Sequence, residues 1–146
     1  MTIRKISKKD FDEWVSLGVA LWPKHTKREI EKEFRGLRSS RRYKTFLAVT
    51  DRERPVAFIN LSLRRDYVEG STSSPVGYIE GIYVKPAYRK HGVARELIRA
   101  AEGWAKKRGA KELASDTELQ NTASQKFHKR VGFTKVDVIV HVIKKI

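Results

Sequence analysis

The sequence predicts an α/β (α+β) domain, because helical and strand-like hydrophobic periods alternate along 146 residues with no repeat and no low-complexity linker. Its length fits one domain over residues 1–146. Hydrophobic residues make up 40%, with three Trp, five Tyr and six Phe, enough to close a core.

Ile3–Ile6 reads as an opening strand. Ser7 then caps a helix, with Asp10 three residues on, and Phe11, Trp14, Val15, Gly18, Leu21 and Trp22 follow at helical spacing until Pro23. Thr26 and Glu29 form a second capping box, before a helix with Ile30, Phe34 and Leu37 on one face. Ser39–Lys44 is polar and basic and reads as a loop. Phe46–Val49 and Val56–Leu63 read as strands around a turn at Asp51–Arg54. Asp66–Pro75 is a loop, and Val76–Val84 is a strand rich in β-branched and aromatic residues, ended by Pro86.

Gly92 or Val93 opens the most regular helix, with Ala94, Leu97, Ile98, Ala101, Trp104 and Ala105 as its apolar stripe and Gly109 just past its end. Leu113–Ser115 is a short buried strand. Asn121 caps a last helix carrying Phe127 and Val131, which Gly132 closes. Phe133–Ile143 is apolar and β-branched, long enough for two strands or one bent strand.

Lys and Arg number 32 against 17 Asp and Glu, a net charge of +15 that favours anionic partners: nucleic acid, an anionic membrane surface or a phosphorylated cofactor. No Cys is present, which excludes disulfides, thiolate metal sites and a Cys nucleophile. The four His are scattered, so no metal site is expected. No signal-peptide core and no apolar run near the ~18 residues of a membrane span is present, so a cytoplasmic protein with no membrane partner is expected.

The informative stretch is Val76–Arg95, where a strand runs into Arg89-Lys90-His91-Gly92-Val93-Ala94 and then a helix. A helix start leaves backbone N–H groups without partners and carries the positive end of the dipole. Gly92 lets backbone approach a ligand closely, and Arg89, Lys90 and His91 add charge. Together these suit a pyrophosphate. An ordinary strand-to-helix turn with solvated charges fits the loop pattern equally well. Neither a P-loop nor a Gly-x-Gly-x-x-Gly fingerprint is present.

Arg89-x-x-Gly92-x-Ala94 resembles the coenzyme A loop of the GNAT N-acetyltransferase superfamily, and Asn121 through Gly132-Phe133 resembles its second signature. The resemblance covers essentially the whole chain. Within the superfamily the sequence is most similar to the aminoglycoside 6′-N-acetyltransferases, through Leu21-Trp22-Pro23, Asp66-Tyr67-Val68, Ser74-Pro75-Val76, Glu80-Gly81-Ile82-Tyr83-Val84, Gly92-Val93-Ala94 and Ala114-Ser115-Asp116.

The resemblance implies a GNAT fold: a mixed, mostly antiparallel sheet in which two parallel strands, Val76–Val84 and Leu113–Ser115, splay apart around acetyl-CoA. It implies that backbone of Ile82, Tyr83 and Val84 pairs with the pantetheine arm. Arg89, Lys90, His91, Gly92, Val93 and Ala94 would hold the pyrophosphate, and Asn121 would also touch the cofactor. An amine must lose its proton to attack, and a carboxylate can take it. Glu80 is the candidate base, with amine binding as its other role and an ordinary exposed strand carboxylate as the plain alternative. Asp116 resembles the Asp that holds substrate ammonium groups, though Asp also caps turns. Asp66, Glu69 and Glu118 are weaker members of an acidic rim. Trp22 and Tyr67 are candidate flat walls for sugar rings or cations, or else core.

Ile82 N–H is the candidate donor to the developing oxyanion. His128 stands where many family members place a Tyr general acid. It is either that acid or a packing residue, with water as the proton source. The expected acceptor is the 6′-amino group of an aminoglycoside. Alternatives are another amine (a protein N-terminus, lysine or polyamine) and, in a different class, a non-catalytic basic nucleic-acid-binding module, for which no motif is present. A homodimer through Val136–Ile143 is expected as one possibility; completion of the chain's own sheet is the other.

Overall fold

A computed structural model describes residues Met1–Ile146. The order is β1 (Thr2–Lys5), α1 (Phe11–Leu21), α2 (Lys27–Ser39), β2 (Tyr43–Val49), β3 (Pro55–Arg64), β4 (Val76–Val84), α3 (Val93–Lys107), β5 (Leu113–Ser115) and α4 (Thr122–Arg130), with single 3-10 turns at Lys8–Asp10 and Pro86–Tyr88. The strands form one sheet in the order β1-β2-β3-β4-β5. The first four are antiparallel to their neighbours, and β5 runs parallel to β4. No helix is long and apolar enough to cross a membrane.

Alternation along the strands sends side chains to two layers. Ala57, Ile59, Leu61 and Leu63 of β3 and Ile79 of β4 pack with Leu97, Ile98, Ala101 and Trp104 of α3. On the opposite face, Leu47, Val49 and Phe58 meet Trp14, Leu17, Ile30 and Phe34 of α1 and α2. Trp14 and Phe34 stack with ring centroids 4.1 Å apart. The Trp14 indole N–H and the Thr45 hydroxyl both donate to Asn60 Oδ1, at 3.0 and 2.9 Å. They tie β2, β3 and α1 together beneath the middle of the sheet.

Local signals set most element ends. Thr26 Oγ1 accepts from Glu29 N–H at 3.1 Å and Glu29 Oε1 accepts from Thr26 N–H at 3.4 Å, so α2 starts where its capping box lies. Gly109, at φ 86°, follows the last turn of α3.

Two expectations are corrected. Tyr43 and Lys44 belong to β2 rather than a loop, because β3 reaches far enough to pair Tyr43 with Ser62 and Lys44 with Leu61. The tail beyond Phe133 forms no strand. Val136, Val138, Ile139, Val140, Val142 and Ile143 stand 51–98% exposed. A strand needs a neighbouring edge to take its N–H and C=O groups, and this segment does not lie along one in its own chain.

Asp10 locks the N-terminal corner. Arg4 donates to both its oxygens at 2.8 and 3.0 Å, and the Ser7 N–H and O–H each donate at 2.8 Å, leaving Asp10 buried. The Arg4 hydrogen bonds, with those of Ser7, hold this carboxyl well below the usual range despite burial. Asp10→Asn should destabilise the protein by about 2–4 kcal/mol in urea melts at pH 7. A depressed folded pKa contributes stability that is complete above the unfolded value and lost as pH falls. The gap between wild type and variant should therefore narrow from about pH 4 downward. A gap that widens in acid would contradict this role.

Candidate active site

β4 and β5 pair at only three positions, Gly77 with Leu113, Tyr78 with Ala114 and Ile79 with Ser115. β5 then stops while β4 continues to Val84. Along Glu80–Val84 the β4 edge therefore faces an opening, free to accept an extended ligand as a further strand. The same point carries a β-bulge: Leu61 pairs with Ile79 and Asn60 with Gly81, so Glu80 is the extra residue. A bulge bends its strand and re-aims a side chain. Ile82 and Tyr83, next along the edge, are half-buried.

Beyond Val84 the chain turns through Pro86–Tyr88 into the basic loop and α3. Lys90 and Gly92 both have positive φ, 63° and 79°. Arg89 Nε donates to the Val84 carbonyl at 2.8 Å, and its guanidinium lies 5.4 Å above the Tyr83 ring, fastening the loop to the end of β4. No side chain caps α3, and its first main-chain bond runs from Glu96 N–H to Gly92 C=O. The N–H groups of Val93, Ala94 and Arg95 thus have no partner within the helix. A Cβ on Gly92 would meet nothing within 4 Å, so the helix start is open. His91 is exposed beside it. This cradle fits a pyrophosphate in both shape and sign.

The other wall mixes carboxylates, guanidiniums and an aromatic ring in one connected set. Glu80 accepts from the Ser62 hydroxyl at 2.5 Å and from Arg64 Nη2 at 3.0 and 3.1 Å. The Arg64 guanidinium lies 3.4 Å from the centre of the Tyr78 ring. Tyr78 Oη donates to Asp116 Oδ2 at 2.5 Å. Burial, reinforced by the Asp116 bond, pushes the Tyr78 phenol far above its ordinary value, so it stays a neutral donor. Glu80, Arg64, Tyr78 and Asp116 are therefore one chain of contacts running from the bulge to the end of β5. Glu33, Asp66 and Glu80 line an open pocket of about 370 Å³ together with Arg42, Arg64 and Arg65, and Tyr67 borders it. Trp22 lies across Gly81, where an added Cβ would sit 2.5 Å from its ring, and it also packs near Phe34 and Phe58. It is at once core edge and pocket neighbour.

His128 sits on the opposite face. Its Nδ1 is 2.7 Å from the Ser124 carbonyl, which only accepts, so Nδ1 carries the proton. Nε2 then faces the Ser115 hydroxyl at 2.8 Å as an acceptor. A neutral His128 thus offers a lone pair, not a proton, toward the end of β5. Asn121 Oδ1 caps α4 by accepting from Ser124 N–H at 3.1 Å. Glu69 and Glu118 are exposed and do not line the pocket. No group of three or more His, Asp or Glu side chains is placed to hold a metal ion.

Sequence reading missed Ser62, Arg64, Tyr78 and Ser115. Asn60, Ser62 and Arg64 recur at every second position of a strand that is apolar in between, the signal that puts all three on one face.

The sequence model described as the Acetyltransferase (GNAT) family matches residues 3–133. The chain belongs to the GNAT acetyltransferase family. This GNAT chain is 36% identical to aminoglycoside N(6′)-acetyltransferase type 1 of Salmonella typhimurium, over 99% of each chain. To the protein of that name from Acinetobacter haemolyticus it is 38% identical, over 100% of this chain and 99% of the relative. Among solved structures it superposes on AAC(6′)-Iy in complex with the bisubstrate analogue CoA-S-monomethyl-acetylneamine, with TM-score 0.93, 35% identity and coverage of 99% and 98%. The apo 6′-N-acetyltransferase AAC(6′)-IG from Acinetobacter haemolyticus matches with TM-score 0.94 at 38% identity, over 100% and 99%.

The contact of Trp22 with Gly81 is testable alone. Gly81→Ala should lower stability by about 1–3 kcal/mol and shift tryptophan emission, because the ring must move. Thermal melts followed by fluorescence read both, and an unaltered spectrum and melt would show that the ring is not seated there.

Proposed function

We propose that this chain transfers an acetyl group from acetyl-CoA to the 6′-amino group of aminoglycosides. The observation that carries the reading is the carboxylate pair Glu80 and Asp116, joined through Arg64 and Tyr78 beside the β4–β5 opening. Full-length relatives bearing the aminoglycoside 6′-N-acetyltransferase name support it. A protein N-terminus, lysine or polyamine as acceptor, or a non-catalytic nucleic-acid module, has no comparable support. The cytoplasm, where acetyl-CoA is available, is the proposed location.

Bound acetyl-CoA supplies an activated thioester. Main-chain N–H groups from Lys90 to Ala94 hold its phosphates, and the β4 edge at Ile82–Val84 aligns its arm. The Ile82 N–H would stabilise the oxygen that gains charge. Glu80 binds the acceptor's reacting amine and takes its proton, directly or through water. Asp116 holds a neighbouring ammonium, and Trp22, Asp66 and Tyr67 border the sugar rings. His128 and Ser115 lie across β5 from the acceptor, toward the departing thiolate. Only the imidazolium form of His128 has a proton to give, so water competes with it.

Thiol release with kanamycin and tobramycin should be saturable and exceed that with lysine, polyamines or an N-terminal peptide. An aminoglycoside bearing a hydroxyl at 6′ should be inert. No turnover with any 6′-amine would overturn the reading. Glu80→Ala and Asp116→Asn should each lower kcat/KM by about 10²–10³-fold with coenzyme A binding intact by calorimetry, and His128→Phe by less than about tenfold. Wild-type turnover in the first two would show that the acceptor binds elsewhere.

We also propose a homodimer in which a second copy covers the tail. Val136, Val138, Val140 and Val142 recur every second residue, the pattern of one strand face, and all are exposed. β5, only three residues long, leaves an open sheet edge. Sedimentation should show a dimer for wild type and a monomer for the double variant Val138→Asp, Val140→Asp. A monomeric wild type would contradict this.

A further inference from the structure

The acceptor wall already holds a cation, and that cation belongs to the protein. Arg64 Nη2 contacts both oxygens of Glu80, at 3.0 and 3.1 Å, and Nε lies 3.3 Å from Oε1. The guanidinium is 3.4 Å from the Tyr78 ring centre, and the phenol of that ring is bonded to Asp116. A π face polarised by a carboxylate at its hydroxyl is a good seat for a positive charge. Arg64 reaches this seat from the last position of β3, where Arg65 and Asp66 begin a loop, and its side chain is 37% exposed. It has both the length and the freedom to leave.

Glu80 does not need Arg64 to stay in place. The Ser62 hydroxyl holds Oε1 from the neighbouring strand at 2.5 Å. Tyr78 is likewise buried and independently bonded to Asp116. The seat therefore persists when the guanidinium moves. A cationic acceptor cannot share it, because the Tyr78 ring face and the Glu80 oxygens beside it have room for one cation at a time.

We propose that Arg64 is a resident counter-ion occupying an acceptor ammonium subsite, formed by Glu80, the Tyr78 ring and Asp116, and that the substrate's ammonium displaces it. The inference rests on the aminoglycoside reading and adds a specificity-determining residue to it. Apparent acceptor affinity is then the intrinsic affinity reduced by the fraction of protein in which Arg64 has swung out. Neutral amines and weakly charged acceptors fail to displace it. The subsite thereby selects acceptors whose ammonium can outbid a guanidinium.

The test is Arg64→Met, which keeps an aliphatic side chain of similar reach and removes the charge, with Arg64→Lys as the charged control. With kanamycin as acceptor, Arg64→Met should lower acceptor KM about tenfold, leave acetyl-CoA KM unchanged and change kcat less than about threefold. Arg64→Lys should fall between the two. Tyr78→Leu, lacking the π face, should raise acceptor KM. An acceptor KM that is unchanged or higher in Arg64→Met would overturn the proposal, and a kcat loss alone would make Arg64 a positioning residue for Glu80. Calorimetry with kanamycin and coenzyme A, in which no chemistry occurs, separates this from the function itself. If wild type turns over no amine, the functional reading fails. The displacement proposal then stands on tighter kanamycin binding by Arg64→Met, and falls if binding is not tightened. Circular dichroism and melting temperature check that each variant is folded.

Discussion

The site depends on one interruption of a hydrogen-bond ladder. β5 pairs with β4 for three residues and leaves it at Ile79, one residue before the bulge that makes Glu80 an extra residue against β3. Ending the parallel pair opens an unpaired strand edge, and the bulge at the same point sets the Glu80 carboxylate against Ser62 and Arg64 of β3. A sheet that ran on regularly would close the cleft and send Glu80 elsewhere. The support for this irregularity is strong. Asn60, paired with Gly81, receives hydrogen bonds from Trp14 and Thr45, and Trp22 presses on Gly81. The aromatic layer of α1 and α2 thus braces the site.

Charge is arranged in the same spirit. The chain is strongly basic overall, yet carboxylates gather locally at the acceptor wall, Glu80 half-buried beside Arg64 and Asp116 exposed. Screening confines surface charge to about 8 Å at physiological ionic strength, so a basic exterior and these local carboxylates coexist. The exterior suits an anionic donor, and the cleft suits a cation. The two faces of the sheet divide the chemistry as well. Glu80 shares its pocket with Glu33 and Leu37 of α2, whereas Ser115 meets His128 of α4. The gap between β4 and β5 lies between the two groups.

Much of this was legible in the sequence, and the parts that were not have common causes. β4 is legible with its ends because its β-branched and aromatic residues run from Pro75 to just before Pro86, and β5 as a short apolar stretch between charged residues. α3 was read because an amphipathic stripe begins just after Gly92. Glu80 and Asp116 were identified from motif resemblance. The contacts that join them were not, since they require the register of β3 on β4, and a bulge shifts that register invisibly. Arg64 reads as an ordinary cation at a strand end. Tyr43 and Lys44 read as loop because their polarity conceals a pairing that only the length of β3 reveals. Phe133–Ile143 failed for the opposite reason: its pattern asks for a strand, but pattern cannot say which chain supplies the edge.

If the interruption of the ladder at Glu80 joins a phosphate cradle to an ammonium site, a crystal structure of the protein with coenzyme A and kanamycin bound together will have the pyrophosphate on the main-chain N–H groups at the start of α3, the thiol between β4 and β5, and the 6′-amine within hydrogen-bonding reach of Glu80. An antibiotic bound away from Glu80 and Asp116, or a cofactor that bypasses the start of α3, would contradict it.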